Sequence, residues 1–272
     1  MIKALFFDLD GTLLNSNKVI SNKTKMALIK CKKNGIKLFL ATARFPHLNL
    51  SLSWDQEDLK LFDGGSYYNG GCIEIDGEKN YFPISNSIVE NITKYVFEYD
   101  NLNICLQLKY EKHAFRFPLE NIAYKIWGVI PEEALTLNQA KNSETIKILI
   151  FYANLIDSKI IIDEKLVSLL LKLCKNKAQF CLTDKGKVIQ IMEKSANKLG
   201  GIEKIRKKYK FKKDEIAVFG DDYNDIEMLS EYKYSVAMGN AEKEIKDSAK
   251  YVTLDNNSDG IQYAIEKILK IL

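Results

Sequence analysis

Two carboxylates close the first apolar run of this chain. In Ala4-Leu-Phe-Phe-Asp8-Leu-Asp10-Gly11-Thr12-Leu-Leu14 the residues from Ile2 to Phe7 are almost continuously apolar. Such a run reads as a strand buried on both faces of a parallel sheet. Residues two apart on a strand point the same way, so Asp8 and Asp10 converge beyond its C-terminal end, the edge where open α/β sheets hold ligands. Gly11 allows a sharp turn, and Thr12 brings a hydroxyl close to the acids. A common Asp-Gly turn accounts for Asp10 and Gly11, but not for Asp8 at the end of a buried strand. Two like charges placed together are costly unless a cation or a proton transfer uses them.

The same logic returns near the C-terminus, in Ile216-Ala-Val-Phe219-Gly220-Asp221-Asp222-Tyr223-Asn224-Asp225. A second buried strand ends in carboxylates, and Asp221 and Asp225, four apart at the start of a helix, share a face. Thr42 follows a third apolar stretch, Ile36 to Leu40. Its hydroxyl, with the N–H groups of the following turn, suits a phosphate oxygen. Lys198 stands where a helix opens after Glu193-Lys-Ser-Ala-Asn197, and its ammonium can point at an anion held near Asp8.

Positioning these groups requires a parallel sheet. Ser21 is placed to cap a helix over 23–34, with Ala27, Leu28 and Cys31 on one face and Gly35 as its stop. Strand, helix, strand within forty residues is a right-handed crossover that sets Thr42 at the same edge as Asp8. Asp76-Gly77 between Cys72–Ile75 and Glu78–Phe82 signals a hairpin. From Ser85 to about Lys185 the texture changes. Helices are expected after Ser85 and over 163–174, and strands over 103–109, 146–152 and 179–183, as a separate α+β layer. The strand-like Val188 to Met192 is read as returning to the first sheet. His113 is taken as structural, since a lone histidine usually is.

At 272 residues, with 46% hydrophobic and 28% charged residues and a net charge of +4, the chain has ordinary globular composition and room for one large or two modest domains. The basic run Lys204 to Lys213 is read as the solvated side and end of a helix rather than a nucleic-acid surface. Cys31, Cys72, Cys105, Cys174 and Cys181 are scattered, without a Cys-x-x-Cys pair, which argues against disulfides or zinc and for a reducing cytoplasm. No apolar stretch is long enough to span a membrane, and Asp8 interrupts the opening run too early for a signal peptide.

Asp8-Leu-Asp10-Gly11-Thr12 resembles the first motif of the haloacid dehalogenase superfamily of phosphatases and phosphotransferases. Thr42-Ala43-Arg44 is similar to the second, where Thr-Gly-Arg is usual. Lys198 matches the third, and Gly220-Asp221-x-x-Asn224-Asp225 the fourth. Tyr67-Tyr-Asn69-Gly-Gly71 with its hairpin, Tyr234 to Ala241, and Ser258-Asp-Gly-Ile261 resemble the Cof-like, type IIB branch. This resemblance covers the whole chain. It implies a Rossmann-like α/β core (residues 1–84 and 187–272) and an inserted α+β cap (85–186), joined near 82–84 and 184–187. It further implies Mg2+-dependent hydrolysis of small phosphorylated metabolites, such as sugar phosphates, by a cytoplasmic monomer or weak homodimer. Asp8 would be the nucleophile and Asp10 the acid and base. Mg2+ would take the Asp8 carboxylate, the Asp10 backbone carbonyl, Asp221 and, directly or through water, Asp225. Thr42, Ala43, Lys198 and Asn224 would hold phosphate oxygens. A phosphohexomutase and a non-catalytic phosphate-binding regulator are the alternatives. Ala43 would be strained if its turn needs a positive φ.

Overall fold

The apolar run ahead of Asp8 becomes the strand β1 (Ala4–Phe7), all four residues of which are buried. It is paired along both edges, and its side chains are buried on both faces. The structure, a computed structural model, describes residues 1–52, 54–119, 124, 127–153 and 160–272. These divide into two compact units: residues 1–44, 52–80 and 197–272 form the first, and 45–51 with 81–196 form the second.

The first unit is built on an eight-stranded sheet. Its elements are β1, α1 (Asn22–Lys33), β2 (Lys37–Ala41), β3 (Gly64–Tyr67), β4 (Cys72–Ile75) and β5 (Glu78–Tyr81), then β12 (Ile216–Gly220), β13 (Tyr234–Ala237) and β14 (Tyr251–Val252). The strand order is β14-β13-β12-β1-β2-β3-β4-β5. Pairing is parallel from β14 to β3 and turns antiparallel at β4. Phe7 lies beside Phe219 on one side and Leu40 on the other. The residues that follow these three strands therefore emerge side by side at one edge. Helix α1 starts as its sequence dictates: the Ser21 hydroxyl accepts the Thr24 N–H at 3.1 Å, satisfying one of the free donors of the first turn. Thr24, Ala27, Leu28 and Cys31 form its buried stripe. The basic run ends the helix Lys198–Tyr209, where Arg206 pairs with Glu203 at 2.8 Å and Lys210 closes the helix in the left-handed conformation.

The second unit is a six-stranded sheet in the order β10-β11-β9-β6-β7-β8. Its strands are β6 (Leu102–Leu108), β7 (His113–Phe115), β8 (Leu135–Thr136), β9 (Thr145–Tyr152), β10 (Ala178–Thr183) and β11 (Val188–Glu193). Pairing is antiparallel except between β7 and β8. Alternation along the strands sends Ile104, Leu106, Ile148, Ile150, Ile189 and Ile191 to one face. There the helices Asn86–Val96 and Glu164–Cys174 cover them with Ile88, Ile92, Val96, Leu166 and Leu170. Cys105, Phe115, Leu149, Phe151 and Val188 form a smaller cluster on the other face.

Two segments fall elsewhere than the sequence suggests. Val188–Glu193 does not join the first sheet: it lies between β10 and β9, because Ile189 and Ile191 complete the core under the two helices. The turn 184–187, expected as a crossing, accordingly joins β10 to β11 inside the second unit. The first unit resumes at Asn197. Residues 45–51 belong to the second unit, where the buried Phe45 ring meets His113 edge-on at 5.4 Å.

His113 is structural, as its sequence context suggested. It is buried, and its Nε2 lies 3.1 Å from the Gln107 amide nitrogen. Burial outweighs a hydrogen bond with the Glu111 backbone and lowers its pKa from 6.5 to about 4. An unfolded chain therefore takes up this proton first. The contribution of His113 is full above pH 6.5 and declines as the pH falls toward 4. At pH 5 the loss relative to pH 7 is about 2 kcal/mol. Urea unfolding of the wild type and of His113→Gln at both pH values checks this. The histidine-dependent part of the pH slope should vanish in the variant.

Candidate active site

The edge formed by β1, β2 and β12 gathers the carboxylates. The Asp8 N–H donates to the Phe219 carbonyl at 3.0 Å, which continues the β1–β12 ladder by one residue and fixes Asp8 beside Gly220. Lys198, the first residue of its helix, donates to Asp8 Oδ1 and Asp225 Oδ1, each at 2.7 Å. All three are buried: Lys198 is 2% exposed, Asp8 5% and Asp225 0%. A fully buried ammonium between two carboxylates is tolerable only because each charge has a partner. Asn197 sets the entry of this helix, its side chain accepting the Gly200 N–H at 2.5 Å.

Asp225 serves as an orienting group. Its Oδ2 accepts the N–H groups of Asp221 and Asp222, both at 3.1 Å, while its Oδ1 takes Lys198. Asp221 is held by the Thr12 hydroxyl at 2.6 Å and by Asn240 Nδ2 at 3.2 Å, which also reaches the Gly11 carbonyl at 2.9 Å. Gly11, at φ +82°, lies so close that a Cβ there would come within 2.2 Å of Asp221 Oδ2. Ligand oxygens of Asp8, Asp221 and Asp225 fall within 4.8 Å of one another, a hard-oxygen set of the kind that suits Mg2+.

Electrostatics divides the acids. Burial pushes the Asp8 carboxyl well above its usual range; Lys198 offsets this in part, and Asp225 and Asp221 add to it. Burial likewise raises Asp221 to about 6, against the Thr12 hydrogen bond and with Asp225 adding. Lys198 loses hydration, yet Asp225 and Asp8 hold it firmly charged. The Asp8 and Asp221 carboxylates thus lack sufficient positive charge, which is the condition a divalent cation relieves.

Asp10 stands apart from this cluster. Arg44 grips its carboxylate at both oxygens, Nε to Oδ2 at 2.6 Å and Nη2 to Oδ1 at 2.9 Å, and Lys18 adds a contact at 2.7 Å. Burial alone would raise Asp10, but Arg44 and then Lys18 bring it down to about 2. Arg44, the last residue of the Thr42-Ala43-Arg44 stretch, is thus committed to Asp10.

Thr42 continues the β2–β3 ladder by donating to the Ser66 carbonyl at 2.8 Å. Its hydroxyl oxygen accepts the Arg44 N–H at 3.1 Å, so its own proton remains to be donated. Ala43 is not among the residues with positive φ, so alanine replaces glycine here without strain. Asn224 Nδ2 donates to Asn69 Oδ1 at 3.3 Å. The structure thus brings together Asp8, Lys198, Asp221 and Asp225, and sets Asp10 outside them. Lys18, Asn69 and Asn240 were not among the expected site residues. Asn69 and Asn240 lie inside stretches singled out only as family marks, and Lys18 carries no signal in its spacing.

Lys198→Met would leave two buried carboxylates uncompensated. In Mg2+-free buffer it is expected to lower the unfolding free energy by about 3–5 kcal/mol. A urea midpoint equal to that of the wild type would contradict the buried bridge.

A parallel sheet that closes two adjacent strands with carboxylates around one lysine, and a third with Thr42, defines an enzyme site for an anionic group. The family described as haloacid dehalogenase-like hydrolase matches residues 5–265, and the chain belongs to it, as a phosphatase of its Cof-like branch. It is 27% identical over 265 residues to the 5-amino-6-(5-phospho-D-ribitylamino)uracil phosphatase YcsE of Bacillus subtilis (strain 168), covering 97% of this chain and 94% of that protein. Among solved structures it is similar to a sugar phosphatase of haloacid dehalogenase subclass IIB. The identity there is 25% and the TM-score 0.79, over 98% of this chain and 99% of that one. A structure described for a trigonal-bipyramidal intermediate in a phosphoryl-transfer superfamily is 26% identical, with a TM-score of 0.82, over 99% and 100% of the two chains.

Proposed function

We propose that this phosphatase hydrolyses primary phosphate esters of sugars or similar polyols, with Asp8 as nucleophile and Mg2+ as cofactor. The observation that carries the reading is the Lys198 bridge between Asp8 and Asp225, with Asp221 within ligand distance and Asp10 held outside. That arrangement separates a nucleophile from an acid–base group, as two-step phosphoryl transfer requires.

Asp8 Oδ attacks phosphorus, the bond to the leaving oxygen breaks, and an aspartyl-phosphate forms. Asp10 protonates the leaving alkoxide, then takes a proton from the water that attacks phosphorus and restores Asp8. Asp10 is ionised while Arg44 and Lys18 hold it. The arriving phosphoryl group competes for both cations, which frees Asp10 to bind its proton. Thr42 and Lys198 donate to phosphate oxygens, together with the N–H groups around Ala43 and the Asn224 amide. The Asp8 and Asp221 carboxylates, with the Asp10 backbone carbonyl, would hold Mg2+, which when bound neutralises the phosphate charge as the nucleophile approaches. Asp225 would act through Lys198 and the Asp221 turn.

We read the second unit as the cap, and the substrate class is taken from the relatives, whose names include a sugar phosphatase and the phosphatase of a phosphoribityl compound. Among the described residues no helix is long and apolar enough to cross a membrane. Five scattered cysteines without a Cys-x-x-Cys motif suit a reducing cytoplasm. Phosphate release from a panel of sugar, polyol, aryl and nucleoside phosphates with Mg2+ tests the reading. Sugar or polyol phosphates should show the highest kcat/KM. Isomerised hexose phosphate without free phosphate would make the protein a mutase, and release from nucleotides alone would overturn the substrate class.

A further inference from the structure

One short turn touches every segment that presents a phosphate-directed group, yet supplies none of those groups itself. It is Tyr68–Gly70, which follows β3. The Tyr68 N–H donates to the Arg44 carbonyl at 2.8 Å and the Asn69 N–H to the Thr42 carbonyl at 2.9 Å, so the turn clamps the loop after β2 at both ends. Asn69 Oδ1 accepts from Asn224 Nδ2, on the loop after β12. Gly70, at φ +97°, presses on the backbone of Asn197, where a Cβ would come within 2.4 Å of the carbonyl oxygen. Asn197 in turn caps the helix that Lys198 opens.

The conformation of this turn is demanding. Tyr68 and Asn69 are both left-handed, at φ +53° and +54°. Consecutive non-glycine residues in this region are uncommon, and strain of this kind gathers at working sites. Glycine would satisfy the backbone at position 69 without strain, but it would have nothing to reach Asn224. Asparagine tolerates the left-handed region and supplies a carboxamide. That carboxamide is buried, Asn69 being 3% exposed, and the residue ties the β2 loop, through its N–H, to the β12 loop, through its Oδ1.

We infer that Asn69 is a positioning residue for the phosphoryl group. Its N–H holds the Thr42 backbone so that the Thr42 hydroxyl proton faces the anion, and its Oδ1 fixes the plane of the Asn224 amide. Thr42 and Asn224 then act as one preorganised pair of donors on adjacent loops. The inference rests on the phosphatase reading for the identity of the anion, and its direct test needs no turnover.

Asn69→Gly separates the two functions, since it keeps the left-handed N–H to Thr42 and removes only the carboxamide. In the full-length protein, binding of inorganic phosphate by calorimetry in saturating Mg2+ should weaken about tenfold, the size expected for losing the alignment of one charge-assisted hydrogen bond. KM should rise in step, more than kcat falls. Mg2+ affinity and Tm should match the wild type. Asn69→Ala, which adds strain at φ +54°, should be at least as impaired and less stable. Wild-type phosphate affinity in Asn69→Gly would overturn the proposal. Parallel loss of phosphate affinity, Mg2+ affinity and Tm would do the same, because it would mark a structural role alone. Asn69-dependent phosphate binding in a wild-type protein that cleaves no monoester would instead refute the phosphatase reading and leave the role of Asn69 standing.

Discussion

Asp8→Asn is expected to reduce phosphate release by about 10⁴-fold or more while leaving the protein folded. An amide of the same shape keeps the packing at the end of β1 but offers no anionic oxygen to attack phosphorus. Stability should not suffer, because in the metal-free protein burial already raises the Asp8 carboxyl above its usual range. A buried charge that is poorly compensated costs little to remove, and Lys198 retains Asp225 at 2.7 Å. The check is steady-state turnover on the best monoester beside thermal unfolding in EDTA. Turnover near that of the wild type would remove Asp8 from the role of nucleophile. A variant that fails to fold would show the carboxylate to be structural. The contrast with Lys198→Met is informative: removing the cation strands two buried carboxylates, whereas removing one carboxylate strands none.

Chelation should be as severe as loss of the nucleophile. With excess EDTA, turnover is expected to fall to background and to return on adding Mg2+, with Ca2+ giving little or none. Asp8 and Asp221 have carboxyls displaced upward, Asp221 to about 6, and a dianionic substrate brought beside them adds like charge. A divalent cation offsets that repulsion and holds oxygens of protein and phosphate in fixed relation. Mg2+ enforces compact octahedral geometry; the larger Ca2+ accepts more ligands at longer distances and relaxes the line of attack. Binding to the folded state alone also implies a rise in Tm with Mg2+, by mass action. Full activity in excess EDTA would contradict the assignment of this cluster as a metal centre.

Much of the site was legible because its carriers are simple. The strands β1, β2 and β12 are short apolar runs that end in polar residues. Parallel neighbours then deliver Asp8, Thr42 and Asp221 to one edge whatever the rest of the chain does. Helix α1 announced itself through Ser21 and Gly35. Val188–Glu193 was illegible for the opposite reason: its alternation fits either sheet, and only pairing with Thr145–Tyr152, far away in sequence, decides. Residues 45–51 carry no periodic signal, so nothing local assigns them to the second unit. Spacing did bring Asp221 and Asp225 into one cluster, though not on a helix face: both precede the helix Ile226–Glu231, and the turn between them joins them. Spacing could not reveal that both Asp225 oxygens are spent on Lys198 and on two backbone N–H groups. Nor could it reveal that a long arginine side chain would take Asp10. Those outcomes depend on side-chain reach and hydrogen-bond geometry, which residue type and period do not encode.

The central claim is that Asp8 carries the phosphoryl group during turnover. Mixing the Asp10→Asn variant with Mg2+ and an aryl phosphate, whose leaving group needs little proton assistance, should let the acyl-phosphate accumulate. Acid quenching and borohydride reduction then convert a phosphorylated aspartate to homoserine, which peptide mass spectrometry locates. The account predicts homoserine at position 8, absent without Mg2+ and absent when Asp8→Asn is combined with Asp10→Asn. Homoserine at another aspartate, or unmodified Asp8 during a measured burst of phenol release, would contradict it.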